Sequence, residues 1–288
     1  MKFRALIIEA ASMRDFLNIS LSLSKFSKTC VLRLTTKKIY FIVSEDDGGP
    51  RRPLVWCELP VSFYFKEYNI VGVSELYNEI FLELSTALLA RSCSVLKQDV
   101  KTFKIKLTNK DSPCLTLEME LVSGEQQGRQ CVHDIPVEVI SRKHWSDYQE
   151  PGYDDFHVSI QMPNLRSLKN IVEKMKNMSH SLIVKANKAG KLTLQIKTST
   201  VKLSAHFPGL NVNSFAEGHV RESVYEDEDD NSAVSSTIDI KKFITFLTGM
   251  QLNHCQAVCN IVQGKMVKLY MEQPGALALQ IFLTELNV

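Results

Sequence analysis

Long apolar stretches are absent from this 288-residue sequence. The longest uninterrupted apolar runs, at residues 5–8 and 39–43, fall far short of the ~20 residues that a membrane-spanning helix needs. The opening residues, MKFR, also lack the apolar stretch and the cleavage site of a secretory signal. We therefore predict an intracellular protein with no membrane association.

Paired cysteine motifs are also missing. The seven cysteines are scattered, and none form a C-x-x-C motif, which is typical of reduced thiols in a reducing compartment. Only His254, Cys255 and Cys259 resemble a metal site. Residues 257–262 have the pattern of a strand, however, which would direct alternate side chains to opposite faces. No second ligand pair lies at zinc-finger spacing, so we predict no metal site.

The sequence contains none of the common catalytic signatures. It has no G-x-x-x-x-G-K-[ST], G-x-G-x-x-G, G-x-S-x-G or H-E-x-x-H motif. His133 and Asp134 are adjacent on a predicted strand and should point to opposite faces, which argues against a catalytic dyad. We predict a protein that is not an enzyme and that uses no cofactor.

One acidic run leaves an enzymatic alternative open. Residues 226–230 are five consecutive carboxylates, a composition more typical of a solvated loop than of a cation site. A nuclease or metal enzyme could use Asp227, Asp229 and Asp230. Activity or specific metal uptake that is lost when these three residues are neutralised would support that alternative.

A β-α-β-β-β pattern recurs four times, at about 70 residues per repeat. Amphipathic spacing predicts helices over 12–28 with Ser12 as cap, over 85–97, from Pro163 onward, and after a capping Asp239. The polar, turn-rich stretch 141–155 is typical of a linker. We predict an α+β protein with a first domain at 1–140, a connecting loop at 141–155 and a second domain at 156–288.

Positive charge is concentrated in the four predicted helices. The chain carries a net charge of only +2, yet these helices hold eleven bases and three acids, so the remainder of the chain has an excess of acids. Helices that share this bias predict a surface that contacts phosphates without reading bases; the alternative is an ordinary solvated helix face, since Lys and Arg are good helix formers. The candidate DNA-facing residues are Arg14, Lys25, Lys28, Arg91, Lys97, Arg166, Lys169, Lys174, Lys176, Lys241 and Lys242.

Short stretches of the sequence resemble a known family along nearly the whole chain. They are MKFRA (1–5), KTC (28–30), WCEL (56–59), GVS (72–74), KIKLTNK (104–110), PCLT (113–116), HDIP (133–136), VEKMKN (172–177), IDI (238–240) and CNIV (259–262). In this order and spacing they resemble the Hus-one family of checkpoint clamp subunits, which is similar in fold to proliferating cell nuclear antigen. Residues 208–230 depart from the family by an added acidic run.

The resemblance implies a DNA sliding clamp fold with two similar domains, each of two β-α-β-β-β units, in which helices line a central hole and sheets lie outside. It implies a subunit of the heterotrimeric nine-one-one clamp that encircles double-stranded DNA without sequence specificity. The implied partners are two other clamp subunits, a checkpoint clamp loader and repair enzymes. The implied location is the nucleus, with some cytoplasmic pool. The alternative is a homotrimeric processivity clamp for a replicative polymerase.

The resemblance also implies how subunits join. Clamp subunits pair edge strands head to tail, and the family's strand order indicates edges at 130–139 and 201–207. The expected interface residues are Cys131, Val132, His133, Ile135, Val137, Val201, Leu203, Ala205 and Phe207. Aromatic residues of the connecting loop, namely Trp145, Tyr148 and Tyr153, are expected to contact docked partners. The alternative is that Trp145 packs the loop onto its domain.

Overall fold

The structure is a computed structural model. It describes residues 1–45, 53–109, 111–122, 129–152, 156–215, 233–249 and 256–286. The chain divides into two compact units. Unit 1 comprises Met1–Glu150, Gly249–Leu252 and Gln273–Ala278, and unit 2 comprises Pro151–Thr248, Asn253–Glu272 and Leu279–Val288.

The fourfold repeat predicted from the sequence is confirmed within the described residues. The first repeat is β1 (Lys2–Ile7), α1 (Ala10–Phe26), β2 (Thr29–Leu34), β3 (Lys38–Ser44) and β4 (Pro53–Pro60), followed by a short helix α2 (Val61–Tyr64) and β5 (Glu67–Val71). The second is β6 (Ile80–Ser85), α3 (Thr86–Cys93), β7 (Val100–Asn109), β8 (Pro113–Leu121) and β9 (Arg129–Val139). The third is β10 (Val158–Gln161), α4 (Leu165–Lys176), β11 (Ser181–Asn187), β12 (Leu192–Lys197) and β13 (Lys202–Phe207), followed by β14 (Val212–Phe215). The fourth is β15 (Ala233–Asp239), α5 (Ile240–Gly249), β16 (Gln256–Val262), β17 (Met266–Gln273) and β18 (Leu277–Thr284).

The elements that the sequence pattern missed are the short ones. β5 and β14 are largely exposed and carry no continuous apolar face. They form because β1 and β10 present backbone groups to pair with them. The seven-residue 3₁₀ segment Arg142–Tyr148 lies in the stretch predicted as a linker, and the end of the predicted helix 85–97 is a 3₁₀ turn, Ser94–Lys97.

Unit 1 contains one antiparallel series of strands in the order β4-β3-β2-β6-β9-β8-β7-β1-β5. Helices α1 and α3 pack side by side against it. Phe16 of α1 lies at the centre of the core, with its ring centroid 5.8 Å from that of Phe41 and 5.4 Å from that of Phe103. Because those two rings belong to β3 and β7, one helix residue contacts both halves of the sheet.

Unit 2 contains β14-β10-β16-β17-β18 and a four-stranded sheet, β13-β12-β11-β15. The inner face of the four-stranded sheet is apolar, with Leu182, Val184 and Leu194 almost fully buried. The turn from β11 to β12 ends at Gly190, whose φ of 79° is in the left-handed region. A Cβ there would also lie 2.3 Å from the Leu210 carbonyl oxygen, so only glycine fits.

Two of the predicted helix starts are wrong by a few residues. α1 begins at Ala10, and Ser12 lies inside it, 3% exposed. α4 begins at Leu165, because the Asn164 side chain accepts hydrogen bonds from the amides of Arg166 and Ser167. The predicted cap of α5 is confirmed, since Asp239 accepts from the amides of Lys241 and Lys242. No helix in the described part of the chain could cross a membrane.

Candidate nucleic-acid interface and subunit edges

The predicted bases on α1 point away from the core of unit 1. Arg14 and Lys25 are about three helical turns apart and therefore share one face, and both are exposed. The opposite face carries Phe16 and Leu23, which are 2% and 0% exposed. Burial raises the pKa of the neighbouring Asp15 carboxyl, and the Arg14 charge partly opposes that shift. Lys28, just after the helix, is also exposed.

The neighbouring helix adds fewer charges. On α3, Arg91 is exposed on the face opposite Leu89 and Cys93, and Lys97 is exposed at the end of the 3₁₀ turn that follows. Leu88 is 39% exposed beside Arg91. Because α1 packs against α3, the bases of both helices lie on one outer surface of unit 1, directed away from the sheet.

The bases of α4 divide into exposed and paired residues. Leu168, Val172 and Met175 form the buried stripe. Arg166, Lys174 and Lys176 are exposed, whereas Lys169 is half-buried and its Nζ lies 3.7 Å from Glu173 Oε1. Lys169 is therefore a weaker candidate for phosphate contact than the exposed three.

On α5, Lys241 is exposed and Lys242 is half-buried. Both follow the capping Asp239, whose carboxylate accepts their backbone amides and adds a negative charge beside them. α5 therefore presents less unopposed positive charge than α1.

The excess of acids outside the helices does not come from the strands. The acidic excess outside the helices equals the excess within residues 217–230 alone, which carry seven carboxylates and one arginine. The remainder of the chain outside the helices is therefore balanced. Positive helices remain a real feature of this sequence, but the strands are not acidic in general.

The strand predicted as the first subunit edge, β9, is paired on one side along most of its length. Residues 129–136 pair with β8, and residues 137–139 pair with β6 on the other side. Val137 lies opposite Leu84 of β6. This predicted interface residue therefore pairs with a strand of its own chain on the side where a partner subunit would bind. Among the described residues no strand pairs with the second side of residues 129–136.

The direction of the free amides of β9 follows from one hydrogen bond. The Ile140 amide donates to Phe81 of β6 at 2.9 Å. Since alternate amides of a strand point the same way, those of Gln130, Val132 and Asp134 point away from β8, toward the free side. Pro136 occupies the next position on that side and has no amide to donate. The free edge of β9 therefore ends at Pro136.

The second predicted edge, β13, pairs only with β12 in the described structure. The Thr198 amide donates to the Val201 carbonyl at 2.9 Å, which closes the hairpin. In that register the amides of Leu203, Ala205 and Phe207 point toward β12. The amides of Lys202, Ser204 and His206 therefore point away from β12, and the predicted interface residues do not include these three. The sequence pattern could not predict which alternate amides of β13 point toward β12, because the geometry of the preceding turn decides this.

The aromatic residues of the connecting segment pack inward. The Trp145 ring stacks on Phe81 with centroids 4.6 Å apart, and its Nε1 donates to the Ile140 carbonyl at 3.1 Å. Tyr148 is 2% exposed, so the expectation that its ring offers contact area to a partner is wrong. Trp145 is partly exposed, and Tyr153 lies outside the described residues.

Several other residues hold this segment in place. The Arg142 guanidinium lies 3.5 Å from the centroid of the Tyr77 ring. Phe81 also contacts Arg33, whose guanidinium carbon is 5.2 Å from its ring centroid and whose nitrogens donate to both oxygens of Glu79. These residues come from β2, β6 and the β5–β6 loop, so the partners that hold the segment are distant from it in sequence, and the placement of Trp145 agrees with the alternative that it packs the loop onto its domain.

Candidate metal and catalytic residues are dispersed in the described part of the chain, where no three potential ligands cluster. Asp134 accepts a hydrogen bond from Thr116 at 2.5 Å on the outward face of the sheet, and alternation sends the His133 side chain to the other face. Burial raises the pKa of the Cys259 thiol to about 12. His254, Cys255 and the acidic run at 226–230 lie outside the described residues.

Residues 1–287 match the Hus1-like protein family. The chain belongs to this family. The human "Checkpoint protein HUS1" is 43% identical over 269 residues, which covers 93% of each protein. The Drosophila melanogaster "Checkpoint protein Hus1-like" is 30% identical over 274 residues, or 94% of each. Proliferating cell nuclear antigen (PCNA) from Thermococcus kodakaraensis has a TM-score of 0.65 at 15% identity and covers 98% of this chain and 99% of its own.

The resemblance read from the short stretches is therefore confirmed, as is the sliding clamp fold. This Hus1-like chain is a checkpoint clamp subunit. The alternative of a homotrimeric processivity clamp is not favoured, because the relatives found across the whole chain are checkpoint proteins. PCNA shares the fold at low sequence identity.

Proposed function

We propose that this Hus1-like chain joins two different clamp subunits in a heterotrimeric ring that surrounds double-stranded DNA without sequence specificity. A checkpoint clamp loader places the ring on DNA in the nucleus, and the ring then holds signalling and repair enzymes. The subunit itself acts as a scaffold rather than as an enzyme. Full-length similarity to the human checkpoint protein supports this role.

The observation that carries the DNA part of this proposal is the placement of the helix bases. Arg14, Lys25 and Arg91 are exposed on the side of α1 and α3 that faces away from the sheet. Such side chains attract phosphates from any sequence, because phosphates carry no base identity. A clamp that must move along DNA requires this kind of contact.

The edge strands support the joining part. On β9 the amides of Gln130 and Val132 point away from β8, and on β13 those of Ser204 and His206 point away from β12. An exposed row of amides and carbonyls is a template for pairing with another chain. We assign one neighbouring subunit to each edge.

The DNA contact is tested with Lys25→Glu combined with Lys28→Glu in the assembled ring. Affinity for duplex DNA should fall similarly for all sequences. The slope of log affinity against log salt should decrease, by up to about one charge per residue. Stability should change little, because both lysines are exposed. The measurement is duplex binding across a salt series.

A matched control separates this effect from net charge. Lys37 and Lys66 are exposed lysines of unit 1 that lie outside its helices, and Lys37→Glu with Lys66→Glu changes the charge by the same amount. The control should keep the salt slope. If the helix variant and the control behaved alike, the bases of α1 would be an ordinary solvated face.

Docking of client proteins near Trp145 remains a narrower proposal. The stacking of Trp145 on Phe81 leaves part of the indole exposed, so an incoming aromatic or aliphatic side chain has one edge to contact. Trp145→Ala should weaken binding of a client enzyme to the assembled ring. Binding that survives both this change and Tyr153→Ala would refute docking here.

A further inference from the structure

The connecting segment Arg142–Tyr148 is attached to unit 1 along one side. It forms a 3₁₀ helix, in which side chains three residues apart stand in line. Arg142, Trp145 and Tyr148 therefore share one side of this helix. Within the segment, Trp145 is partly buried and Tyr148 is buried, whereas the other five residues are exposed. A single line of three side chains thus orients the segment.

Each of these three side chains contacts an aromatic ring of unit 1. The Arg142 guanidinium lies 3.5 Å from the centroid of the Tyr77 ring. The Trp145 ring stacks on Phe81, with centroids 4.6 Å apart and 22° between the ring planes, and the centroid of Tyr148 is 6.4 Å from that of Phe81. A helix as short as this one is not stable by itself. Its position therefore depends on Phe81, where two of the three contacts converge.

Phe81 is held in turn by Arg33. The two residues lie opposite each other on β6 and β2, and the Arg33 side chain is 17% exposed. Its guanidinium carbon is 5.2 Å from the Phe81 ring centroid and 5.0 Å from that of Tyr40, which lies opposite Arg33 on β3. Two of its nitrogens donate to the carboxylate of Glu79, at 2.9 Å and 3.3 Å. This paired geometry fixes the plane of the guanidinium between the two rings.

The strands themselves do not require Arg33. β2 pairs with β6 along its whole length through the backbone. A partly buried ion pair usually contributes no more stability than apolar side chains of the same volume. What a guanidinium adds is an attraction to ring faces, which an apolar side chain lacks. Arg33 is therefore suited to orient Phe81 rather than to stabilise the sheet.

We propose that Arg33 is a positioning residue for the connecting segment: by orienting Phe81 it keeps residues 142–148 packed on unit 1 and sets how often the segment opens. While the segment is packed, Phe81 is 1% exposed, and the side chains at 143, 144, 146 and 147 face solvent in a fixed order. Loss of the guanidinium releases the segment without unfolding β2 and β6. This role does not depend on ring assembly or on DNA.

Hydrogen exchange of the isolated full-length chain, read by mass spectrometry, tests this role. Arg33→Lys keeps the charge but replaces the planar, paired donor group with a single ammonium. Backbone amides of residues 142–148 should exchange faster, on the order of tenfold, while those of β2 and β6 should keep the rates of the unmodified chain. Unchanged exchange of the segment would overturn the proposal. Equally faster exchange of β2 and β6 would also overturn it, since Arg33 would then support the sheet as a whole.

Arg4→Lys is the matched control, because it removes a guanidinium from another strand of unit 1. The Arg4 Nη2 lies 3.8 Å from Glu67 Oε2, and both side chains are about half exposed. This variant should leave the exchange of residues 142–148 unchanged. A rise equal to that of Arg33→Lys would count against a specific role for Arg33.

A second variant and a second measurement cover the case in which Arg33→Lys folds poorly. Glu79→Gln leaves Arg33 in place and removes the charge that fixes it. The sequence contains two tryptophans, Trp56 and Trp145, so in a Trp56→Phe background the emission comes from Trp145. Acrylamide quenching of that emission should increase on adding Glu79→Gln, and the emission maximum should shift to longer wavelength. Quenching that stayed at the level of the Trp56→Phe background would overturn the proposal.

The consequence for client proteins rests on the docking proposal made above for Trp145. In the assembled ring, Arg33→Lys should weaken binding of a client enzyme, but less than Trp145→Ala does, because the indole remains. Faster exchange with full client binding would support the role of Arg33 and refute docking on the segment. Weaker client binding without faster exchange would overturn the role of Arg33 and leave docking in place.

Discussion

Two flanks of the molecule, β7–β9 in unit 1 and β11–β13 in unit 2, have the same strand pattern but differ in the charged residues that their strands contain. On β7 and β8 the two acids, Glu118 and Glu120, each have a lysine nearby on β7. Glu118 Oε1 lies 2.7 Å from Lys106 Nζ and Glu120 Oε1 lies 3.3 Å from Lys101 Nζ. The strands β11, β12 and β13 contain lysines but no Asp or Glu. The carboxylates that pair with lysines on the first flank thus come from its own neighbouring strand, whereas the strands of the second flank have none to offer.

The two flanks also end in different edges. β13 pairs with β12 and has a free side along its whole length. β9 is anchored by β8 on one side and by β6 beyond residue 136, and Pro136 interrupts its free side. Both edges direct alternate amides away from their neighbouring strand, but only β13 depends on a single neighbouring strand in the described structure. The comparison predicts that β13 is the more easily disrupted.

The largest effect is expected from Ser204→Pro in β13. Proline removes the central free amide of this edge, while Leu203 and Ala205 still pair with β12. Leaving a partner carbonyl unpaired costs about 1–3 kcal/mol, so assembly with the other clamp subunits should weaken roughly ten- to hundredfold. Size-exclusion chromatography of the mixed subunits measures it.

Ser204→Ala serves as the control for this change, since it keeps the amide and should assemble normally. Circular dichroism of the isolated variant confirms that it folds. A folded Ser204→Pro protein that entered the ring unaltered would rule out main-chain pairing at β13.

A smaller effect is expected from Val132→Pro in β9. The Val132 amide points to the free side, so the ladder to β8 should survive. Because β8 and β6 both hold β9, its backbone should be distorted less than that of β13. We expect weakened assembly at the other subunit interface, measured by the same chromatography, with Val132→Ala as control. If Val132→Pro assembled as well as Val132→Ala, pairing along this edge would be contradicted.

The smallest effect concerns the flank β7–β9. The hydrogen bond from Lys106 is the main reason that the pKa of Glu118 is lowered. A lowered carboxylate pKa contributes stability above the ordinary value of 4.5, and this contribution is lost as pH falls through the folded-state pKa. Glu118→Gln should therefore reduce unfolding free energy by about 1 kcal/mol or less at pH 7 and by less at pH 3.

Urea unfolding at the two pH values measures this difference. Glu120→Gln is the control. Glu120 is more exposed than Glu118, and its partner Lys101 is also exposed, so its effect on the unfolding free energy should be smaller. A Glu118→Gln effect that did not shrink at low pH would mean that packing rather than charge sets its contribution.

Much of the fold could be predicted because its signals are local. The stripe of Leu168, Val172 and Met175 specifies α4, and Asp239 marks the start of α5. The burial of Tyr148 could not be predicted, since it depends on Phe81, far away in sequence. Similarly, the pairing of Val137 with Leu84 results from β9 crossing between two neighbours, and the free amides of β13 result from the geometry of one turn.

The family resemblance supplied what local pattern could not, namely the clamp architecture and the two edges. The charge pattern of the predicted helices was less reliable for individual side chains. Lys169 has the helical position of a DNA-facing base, yet it is half-buried beside Glu173. Placement on a helix face therefore indicates a direction, whereas neighbouring charges decide whether a base is free to contact phosphate.

The most direct test of the central claim is the oligomeric state of the purified chain, alone and with the other two checkpoint clamp subunits, by light scattering. We predict a monomer alone and a ring with one copy of each subunit in the mixture. A stable homotrimer of this chain alone, or a failure to join either subunit, would contradict the account.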